Sequence, residues 1–479
     1  AAAAAVADVQ PGDVITKANV EKARDLIGPG VTWCVEHGMV MNIVPTKKVE
    51  WPRAYREATE APGGQVRLSV DGNTLDNYVA GMPFPNIDVN DPDAAIKIMW
   101  NYQYKPLITD DVLMRDFQVP SGPITYTAPM VPDREFMVGD LRRLYYNGRL
   151  FVDPKPEMPN PDQVRYKEIL SPTVSPFDMK GVGQLGIRYL SAARQDDTWL
   201  YVPAIRRIRR MSTAQRSDSL FGQDTDQDSY WGFSGHIAWS NWKLLGVKDV
   251  LGVVHREHYP VQRCPGGADF TYCDNWEKRR AYVIEGTSKL PQYAYGKRVL
   301  YVDAEAWIVM ASDIYDRRGE LWKVWLEFFS FHKQGLPASK VVYEDEMGFS
   351  SAVIRHPEPA RHSHHDPGPC LAGPGYLVLQ SRTAVAFTVC SRKCRGSLHG
   401  AAFDLGGTLS GREQRNPRQG VLQYRESDPD WLAKLRPVAP LRSGLAQILS
   451  LACSWQTSPG GRRRLWSVIS DSTVAGVKA

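Results

Sequence analysis

The feature that most constrains the fold is a series of apolar and aromatic segments with period-two alternation between residues 135 and 350. Examples are HIAWSNWKLLGV at 236–247, KRVLYVDAEAWIVMASDIYD at 297–316 and GELWKVWLEFFSF at 319–331. Such alternation is typical of half-buried β-strands. Because the connections are mostly short and no long helical pattern separates these segments, the strands should pair antiparallel. The sequence therefore predicts a large antiparallel β-sheet in an α+β protein.

The segment at 11–130 carries helix signals instead. KANVEKARDLIG at 17–28 is amphipathic and ends at Gly28-Pro29-Gly30, and VEWPRAYREATE at 49–60 has a proline near its start. NDPDAAIKIMWNYQY at 90–104 begins with residues that favour the first turn of a helix. We expect this N-terminal part to consist of helices and loops that pack on the sheet at 131–352.

The first strand pair is predicted at LRRLYYNGRLFVD, residues 141–153. Asn147 and Gly148 separate two apolar-aromatic runs, and an Asn-Gly pair is the preferred two-residue turn of a β-hairpin. We expect a tight hairpin here.

The opening residues 1–10, AAAAAVADVQ, form a small-residue run without a charged segment before it. Small residues of this kind surround the cleavage site of a secretory signal peptide, so the run is predicted to be a signal-peptide remnant or a disordered N-terminus. The alternative is an engineered terminus. The sequence has no apolar run of about 18 residues, so no membrane-spanning helix is predicted.

The alternation stops near residue 352, and the tail at 353–479 differs in composition from the rest of the chain. It holds 17 of the 58 basic and 8 of the 53 acidic residues, a balance of +9, and 14 of its basic residues are Arg. It is predicted to be irregular and rich in Arg, Pro, Gly and Cys. One hypothesis is a shifted reading frame, and the alternative is a disordered tail, which the frequent Cys, Trp and Leu argue against.

Two of the seven cysteines, Cys264 and Cys273, flank a Pro-Gly-Gly turn. In an oxidising compartment this spacing favours a local disulfide. Adding His255 and His258 would give four ligands for zinc, but their spacing matches no common zinc module, so the disulfide is preferred. Cys34 has no partner before the tail and is predicted to be a buried thiol.

The acidic segment FGQDTDQDSYWG at 221–232 resembles the start of a calcium-binding loop. When Asp224 is counted as the first position of the loop, the sixth and twelfth positions are Ser229 and Gly235, not the Gly and Glu that such a loop needs. Asp224, Asp226 and Asp228 are therefore expected to be loop acids that face the solvent, and no metal site is predicted.

The basic segment RRIRR at 206–210 is predicted to be an edge strand, because the surrounding chain is slightly acidic and offers no basic surface for nucleic acid. The sequence contains no G-x-S-x-G, no phosphate-binding loop and no local grouping of Ser, His and acidic residues. No catalytic residue and no cofactor are therefore predicted.

Large aromatic side chains recur in the strand candidates, in a chain with 14 Trp and 21 Tyr. Core packing explains any one of them, but together they are numerous for a sheet with few covering helices, which favours an apolar cleft. The candidate ligand-binding residues are Trp199, Tyr201, Trp239, Trp242, Trp307, Trp322 and Trp325.

Several of these segments resemble a known family. DTWLYVPAIRRIRRMS at 197–212 with SLFGQDTDQDSYWG at 219–232, and YVDAEAWIVMASDIYDRRGELWKVW at 301–325, are similar to bacterial proteins described as outer-membrane lipoprotein-sorting proteins. PGDVITKANVEKARDLIGPGV at 11–31 and PFPNIDVNDPDAAIKIMWNYQY at 83–104 resemble the longer, largely uncharacterised branch of that group, a domain-of-unknown-function family.

This resemblance covers about residues 8–351, and it implies the half-open antiparallel barrel of the Lol-type lipoprotein carriers, with helices covering one side. It implies a protein of the periplasm or outer membrane that binds a lipid, a lipoprotein acyl chain or another apolar compound. An outer-membrane porin or an inner-membrane exporter would be a fitting partner, and peripheral membrane contact would be compatible with this role. The resemblance implies binding without turnover.

Two other functions stay open at this stage. The same cleft would suit a hydrolase or isomerase of hydrophobic substrates. An open sheet edge would also suit a module that binds polypeptide by strand addition during envelope stress.

Overall fold

The computed structural model describes residues 8–466 apart from gaps at 62–64, 107–108, 124–133, 213–214, 221–223, 257–273, 335–342, 356–374, 385–453 and 458–462. The chain divides into two compact units, one formed by 1–203 and 209–389 and the other by 204–208 and 390–479. Within the second unit, the described part includes two short strands, Ser454–Thr457 and Arg463–Trp466, that pair antiparallel.

The described residues of the first unit form three α-helices and most of the strands. The helices are α1 (Pro29–Glu36), α2 (Arg53–Glu60) and α3 (Ala94–Gln103). The first ten strands are β1 (Val14–Ile15), β2 (Met41–Val44), β3 (Arg67–Leu68), β4 (Leu75–Asp76), β5 (Asp111–Pro123), β6 (Arg134–Tyr145), β7 (Val164–Ser175), β8 (Gly183–Tyr189), β9 (Asp197–Val202) and β10 (Arg207–Arg210). The others are β11 (Ser240–Gly252), β12 (Asn275–Ser288), β13 (Lys297–Asp303), β14 (Val309–Tyr315), β15 (Leu321–Gln334), β16 (Tyr343–Arg355) and β17 (Gly375–Ala384).

Fifteen of these strands form one sheet in the order β1-β2-β12-β13-β14-β15-β16-β17-β5-β6-β7-β8-β9-β10, with β11 paired to β12. The neighbours pair antiparallel except for β2 and β12, which run parallel over a short stretch. The order does not close on itself. The predicted fold class is confirmed: the protein is α+β, with a large antiparallel sheet that forms a half-open barrel.

Two contacts show how strongly this sheet curves. Gly232 lies against Val309 of β14, while the neighbouring Trp231 ring lies 5.8 Å from the guanidinium carbon of Arg143 in β6. Four strands separate β14 from β6 in the sheet, which would be a distance of roughly 24 Å in a flat sheet with about 4.8 Å per strand. The same short segment reaches both strands because the sheet bends around it.

The strand predictions between residues 197 and 331 agree with the structure. β9 and β11–β15 lie where the alternating segments predicted them, and β10, which contains most of RRIRR, is at an edge of the sheet as expected. A turn joins β14 to β15, with a 3.1 Å hydrogen bond from the N–H of Gly319 to the carbonyl of Asp316 and with Gly319 at φ +84°.

The predicted hairpin at Asn147-Gly148 is wrong. β6 pairs instead with β7, which begins at residue 164, and the chain between them forms a long loop. The reason is Asp110, whose carboxylate accepts hydrogen bonds of 2.8–3.0 Å from the backbone N–H groups of residues 150, 151 and 152. These donors are therefore not available for a second hairpin strand.

The helix predicted at 17–28 is present as a 3₁₀-helix, Val20–Leu26, that ends before Gly28, and a further helix begins directly after it. Pro29 is the first residue of α1, where its fixed φ and missing N–H suit a helix start. Gly28 and Gly30 pack so closely on the sheet that a Cβ on Gly30 would lie 2.6 Å from the Cβ of Val324. The glycines thus serve close packing here.

Two strands lie outside the part predicted to form the sheet. β5 (Asp111–Pro123) falls within the segment predicted to be helix and loop, and β17 (Gly375–Ala384) falls within the tail predicted to be irregular. β17 pairs with both β16 and β5, so it joins the two halves of the sheet. The division of the chain at 10, 130 and 352 and the frameshift hypothesis stay predictions.

Candidate ligand-binding site

Residues 225–239, here called the interior segment, lie across the concave face of the sheet. The ring of Tyr230 contacts Trp325 of β15 at a centroid distance of 5.8 Å, and Gly232 lies against β14. On the other side, the Tyr102 hydroxyl of α3 lies 2.7 Å from the carbonyl of Trp231 and 2.6 Å from that of Phe233. The interior segment therefore packs between β14–β15 and α3.

Two aspartates at the start of the interior segment anchor it. Asp226 is 1% exposed and accepts hydrogen bonds from the hydroxyls of Tyr295, at 2.6 Å, and Ser229, at 2.5 Å. Asp228 is 3% exposed and accepts from Nε of Arg216 at 2.6 Å and from the Tyr293 hydroxyl at 3.1 Å. The expectation that these acids face the solvent is wrong for both, because buried guanidinium and phenol groups provide their hydrogen bonds.

The anchor extends through buried ion pairs to β8. Nη1 of Arg216 donates to Asp196 at 2.8 Å. Asp196 also accepts three hydrogen bonds from Arg188 of β8, at 2.7–3.0 Å. Burial raises the pKa of Asp196, but the two guanidiniums outweigh it, and the net shift of the pKa is downward. His236 beside them is kept neutral, since burial and then Arg188 lower its pKa to about 4.

Between the interior segment and strands β6–β8 there is a cavity of about 50 Å³. Its aromatic walls are Tyr102, Tyr145, Tyr166, Trp231 and Phe233. Four basic side chains also line it, namely Lys105, Arg143, Arg165 and Arg188. The sequence predicts an apolar cleft, whereas this cavity is both aromatic and cationic.

The four cations differ in how they are neutralised. Nε of Arg143 donates to Glu168 at 2.7 Å, and Arg188 is paired with Asp196. Within the part of the chain that the structure describes, Lys105 and Arg165 form no salt bridge with a carboxylate. Burial, followed by repulsion from Arg143, lowers the pKa of Lys105 to about 7. This corner of the cavity carries uncompensated positive charge.

The sequence of this chain was compared with models of known protein families. The family model described as "Protein of unknown function (DUF1329)" matches residues 14–347. The chain belongs to the DUF1329 family. The predicted resemblance to a domain-of-unknown-function family is thereby confirmed.

An uncharacterized protein of Pseudomonas aeruginosa is 22% identical to this DUF1329 chain over 341 residues, which cover 66% of the chain and 69% of that protein. Among solved structures, a domain from Vibrio parahaemolyticus presumed to be an outer membrane lipoprotein-sorting protein is 16% identical, with a TM-score of 0.39, and covers 64% of this chain and 97% of that one. A DUF1329 protein of Desulfovibrio piger is 15% identical, with a TM-score of 0.33, and covers 58% and 88%. A LolA superfamily protein of Nitrosomonas europaea is 13% identical, with a TM-score of 0.29, and covers 57% and 84%.

The seven aromatic residues predicted to bind a ligand are spread over different parts of the DUF1329 fold. Trp322 and Trp325 belong to the main core, and Trp242 and Trp307 belong to the core beneath α3. Trp199 packs beside β7 and β8, Tyr201 is buried in β9, and Trp239 lies over Arg216 with 5.0 Å between its ring centre and the guanidinium carbon. None of the seven lines the cavity described above. Their role as ligand contacts stays a prediction.

Sequence reasoning missed the basic residues of the cavity. Arg143 and Tyr145 alternate with other residues on β6, and their partners on β7 are Glu168 and Tyr166, so these four side chains share one face of the sheet. This alternation is visible in the sequence. It does not reveal that these side chains point to the concave face, because that depends on a sheet partner far away in the chain.

The remaining predictions concern cysteines, metals and membranes. Cys34 is fully buried, as predicted, and burial raises the pKa of its thiol. Cys264, Cys273 and His258 lie outside the described residues, and His255 pairs with Glu277 at 2.8 Å.

The described residues contain no group of three or more His, Cys, Asp or Glu suited to hold a metal ion. They also contain no helix with the length and apolar character needed to cross a bilayer.

Proposed function

We propose that this protein is a non-catalytic carrier or accessory protein of the bacterial envelope that binds a hydrophobic molecule inside its half-open barrel. The observation that carries the proposal is the cavity between the interior segment and β6–β8, whose walls include five aromatic side chains. Aromatic side chains offer a large apolar surface and are common in ligand sites. The resemblance of residues 197–212, 219–232 and 301–325 to proteins of the bacterial envelope supports a periplasmic or outer-membrane location.

The size of the cavity limits how much of such a ligand it can hold. A volume of about 50 Å³ holds little more than one or two water molecules, so it fits only one end of a lipid. The rest of the ligand would extend along the interior segment, which covers Val309 and Trp325 on the sheet. Each methylene buried there would contribute about 0.8 kcal/mol before entropic costs.

Hydrogen bonds hold the interior segment at two places. Its start is fixed by Asp226 and Asp228, whereas its middle is held to α3 by the Tyr102 hydroxyl. Trp231 and Gly232 both have positive φ, at +64° and +81°, and Gly235 follows shortly after. In the proposed complex, the contacts of the aspartates and of Tyr102 keep the segment, including Ser234, beside the cavity.

The test is a fluorescence titration with N-phenyl-1-naphthylamine, an uncharged apolar probe. The wild-type protein should bind the probe saturably. Ser234→Trp, which places an indole in the cavity, should abolish this binding, whereas the control Val70→Trp adds an indole at a fully exposed position and should not. No saturable binding, or equal binding by Ser234→Trp, would overturn the proposed function.

A further inference from the structure

We propose that Lys105 and Arg165 bind an anionic group of the ligand, such as a phosphate, sulfate or carboxylate. The cargo would then be an anionic amphiphile whose charged end occupies the cavity. This inference rests on the proposed function for the apolar remainder of the ligand. The anion site itself is argued from the charges and contacts of the cavity.

Lys105 follows α3 directly and points into the cavity. Its Nζ lies 4.2 Å from the ring centre of Tyr102 and 5.9 Å from that of Trp231. Its hydrogen bond is long, 3.4 Å to the carbonyl oxygen of Tyr102. An ammonium group has three donors, so Lys105 retains hydrogen-bonding capacity toward a molecule in the cavity.

Arg165 provides the second cation from β7. It is 3% exposed, and its Nη atoms donate to Asn147 at 2.9 and 3.1 Å and weakly to the carbonyl of Gln103 at 3.4 Å. Its Nε has no hydrogen-bond partner, although it is buried. A buried donor without a partner is rare in proteins, and a ligand is one of the few explanations for it.

The neighbouring charges do not neutralise this pair. Arg143 repels Lys105 and contributes to the lowering of its pKa, although Arg143 itself pairs with Glu168. Glu327 of β15 attracts Lys105 at longer range, but it accepts a 2.5 Å hydrogen bond from Nε1 of Trp325. An anion between Lys105 and Arg165 would relieve the repulsion among three cations.

The aromatic rings favour an amphiphile over a small free anion. Arg165 stacks over Tyr104 and Tyr145, with 4.2 and 4.7 Å between the guanidinium carbon and the ring centres. These rings fix the guanidinium and form an apolar border around the charged corner. A molecule with one charged end and an apolar chain matches both surfaces, and the chain would extend toward the interior segment.

The first measurement is the displacement of the uncharged probe by decyl sulfate and by decanol, which share the same alkyl chain and differ in charge. The second measurement is the binding of inorganic sulfate by calorimetry. We expect decyl sulfate to bind about tenfold more tightly than decanol, as one charge-assisted hydrogen bond allows. Lys105→Gln should remove most of this preference by weakening the binding of decyl sulfate far more than that of decanol. Lys243→Gln removes the same charge from an exposed position on β11 and should have no effect.

Arg165→Gln is the second variant, and Lys105→Gln decides the result if Arg165→Gln does not fold. Equal affinities for decyl sulfate and decanol, or an equal loss of both in Lys105→Gln, would overturn the anion site and leave the proposed function intact. Binding of inorganic sulfate that depends on Lys105, without binding of decanol or the probe, would support the anion site and overturn the carrier function. Absence of all binding would overturn both.

Discussion

Nε of Arg216 donates a 2.6 Å hydrogen bond to Asp228, and both side chains are almost completely buried, at 1% and 3% exposure. Arg216 also pairs with Asp196, while Asp228 accepts from Tyr293, which in turn accepts from Arg298 of β13. A chain of buried polar groups therefore connects β8 with β13 through the start of the interior segment. It holds that segment in the barrel.

The first prediction concerns the stability of this connection. Removing one partner of a buried ion pair leaves the other charge uncompensated, so Arg216→Met should lower the free energy of unfolding by about 3–5 kcal/mol. Urea unfolding measures the change. The control Arg280→Gln breaks the exposed pair with Asp249, and should cost less than about 1 kcal/mol. Equal effects of the two substitutions would show that the buried network does not stabilise the fold.

The second prediction concerns Asp313 of β14, which joins α1 to the sheet. Its carboxylate accepts from the backbone N–H of Gly30 at 3.0 Å and from the Tyr301 hydroxyl at 2.9 Å. Burial nevertheless raises its pKa to about 6 from 3.8. Because the folded state favours the protonated acid, this group stabilises the protein most below pH 3.8, and the contribution is lost as pH rises through 6.

Asp313→Asn removes the titrating group, and the amide of the new side chain should form hydrogen bonds in similar positions. The difference in unfolding free energy between wild type and Asp313→Asn should therefore change by roughly 2–3 kcal/mol between pH 4 and pH 7, in favour of the wild type at low pH. Asp249→Asn, at a half-exposed position, is the control. A difference that stays constant over this pH range would contradict the raised pKa.

The third prediction is a pH dependence of anion binding. Burial and then Arg143 and Arg165 lower the pKa of Lys105 to about 7, while Glu327 acts in the opposite direction. The nearby Tyr102 hydroxyl has a raised pKa because it is buried, so it stays neutral over this range. Lys105 should therefore lose its proton as pH rises from 6 to 8.

Affinity for decyl sulfate, whose charge is constant in this range, should fall about tenfold over these two pH units if one charged contact is lost. Lys105→Arg keeps its charge at pH 8 and should bind with little dependence on pH. Displacement of the uncharged probe measures the affinity of the wild type and of Lys105→Arg for decyl sulfate. A wild-type affinity that does not change with pH would argue against Lys105 as the titrating contact.

The fourth prediction tests the packing of the interior segment. Gly232 has φ +81°, and a Cβ there would lie 2.5 Å from the Cβ of Val309. Gly232→Ala should lower the free energy of unfolding by about 2–4 kcal/mol through backbone strain and overpacking together. Gly72→Ala is a matched control, since Gly72 also has positive φ, +68°, but no atom within 4 Å of the added Cβ. It should show only the strain, about 1 kcal/mol, and equal losses would refute the close packing.

Elements that depend on nearby residues could be predicted from the sequence, whereas elements that depend on distant residues could not. β11–β15 follow their own alternation of apolar residues, and α3 follows its own helix signals, so both were predictable. The Asn147-Gly148 hairpin was not, because Asp110, some 40 residues away, takes up the N–H groups that the second strand would need.

The candidate site was less predictable for the same reason. Asp226 and Asp228 look like loop acids in the sequence, and only the approach of Tyr295 and Arg216 explains their burial. Arg165 lies in a strand whose pattern does not show which face is concave. Residues that bind through curvature of a sheet can be recognised only when distant strands are placed together.

Native mass spectrometry of the protein purified gently from its own envelope tests the central claim most directly. The account predicts a bound molecule that has an apolar chain and one anionic group, and that is absent from Ser234→Trp and depleted in Lys105→Gln. A protein that carries no such molecule, or that retains the same one when Ser234→Trp fills the cavity, would contradict it.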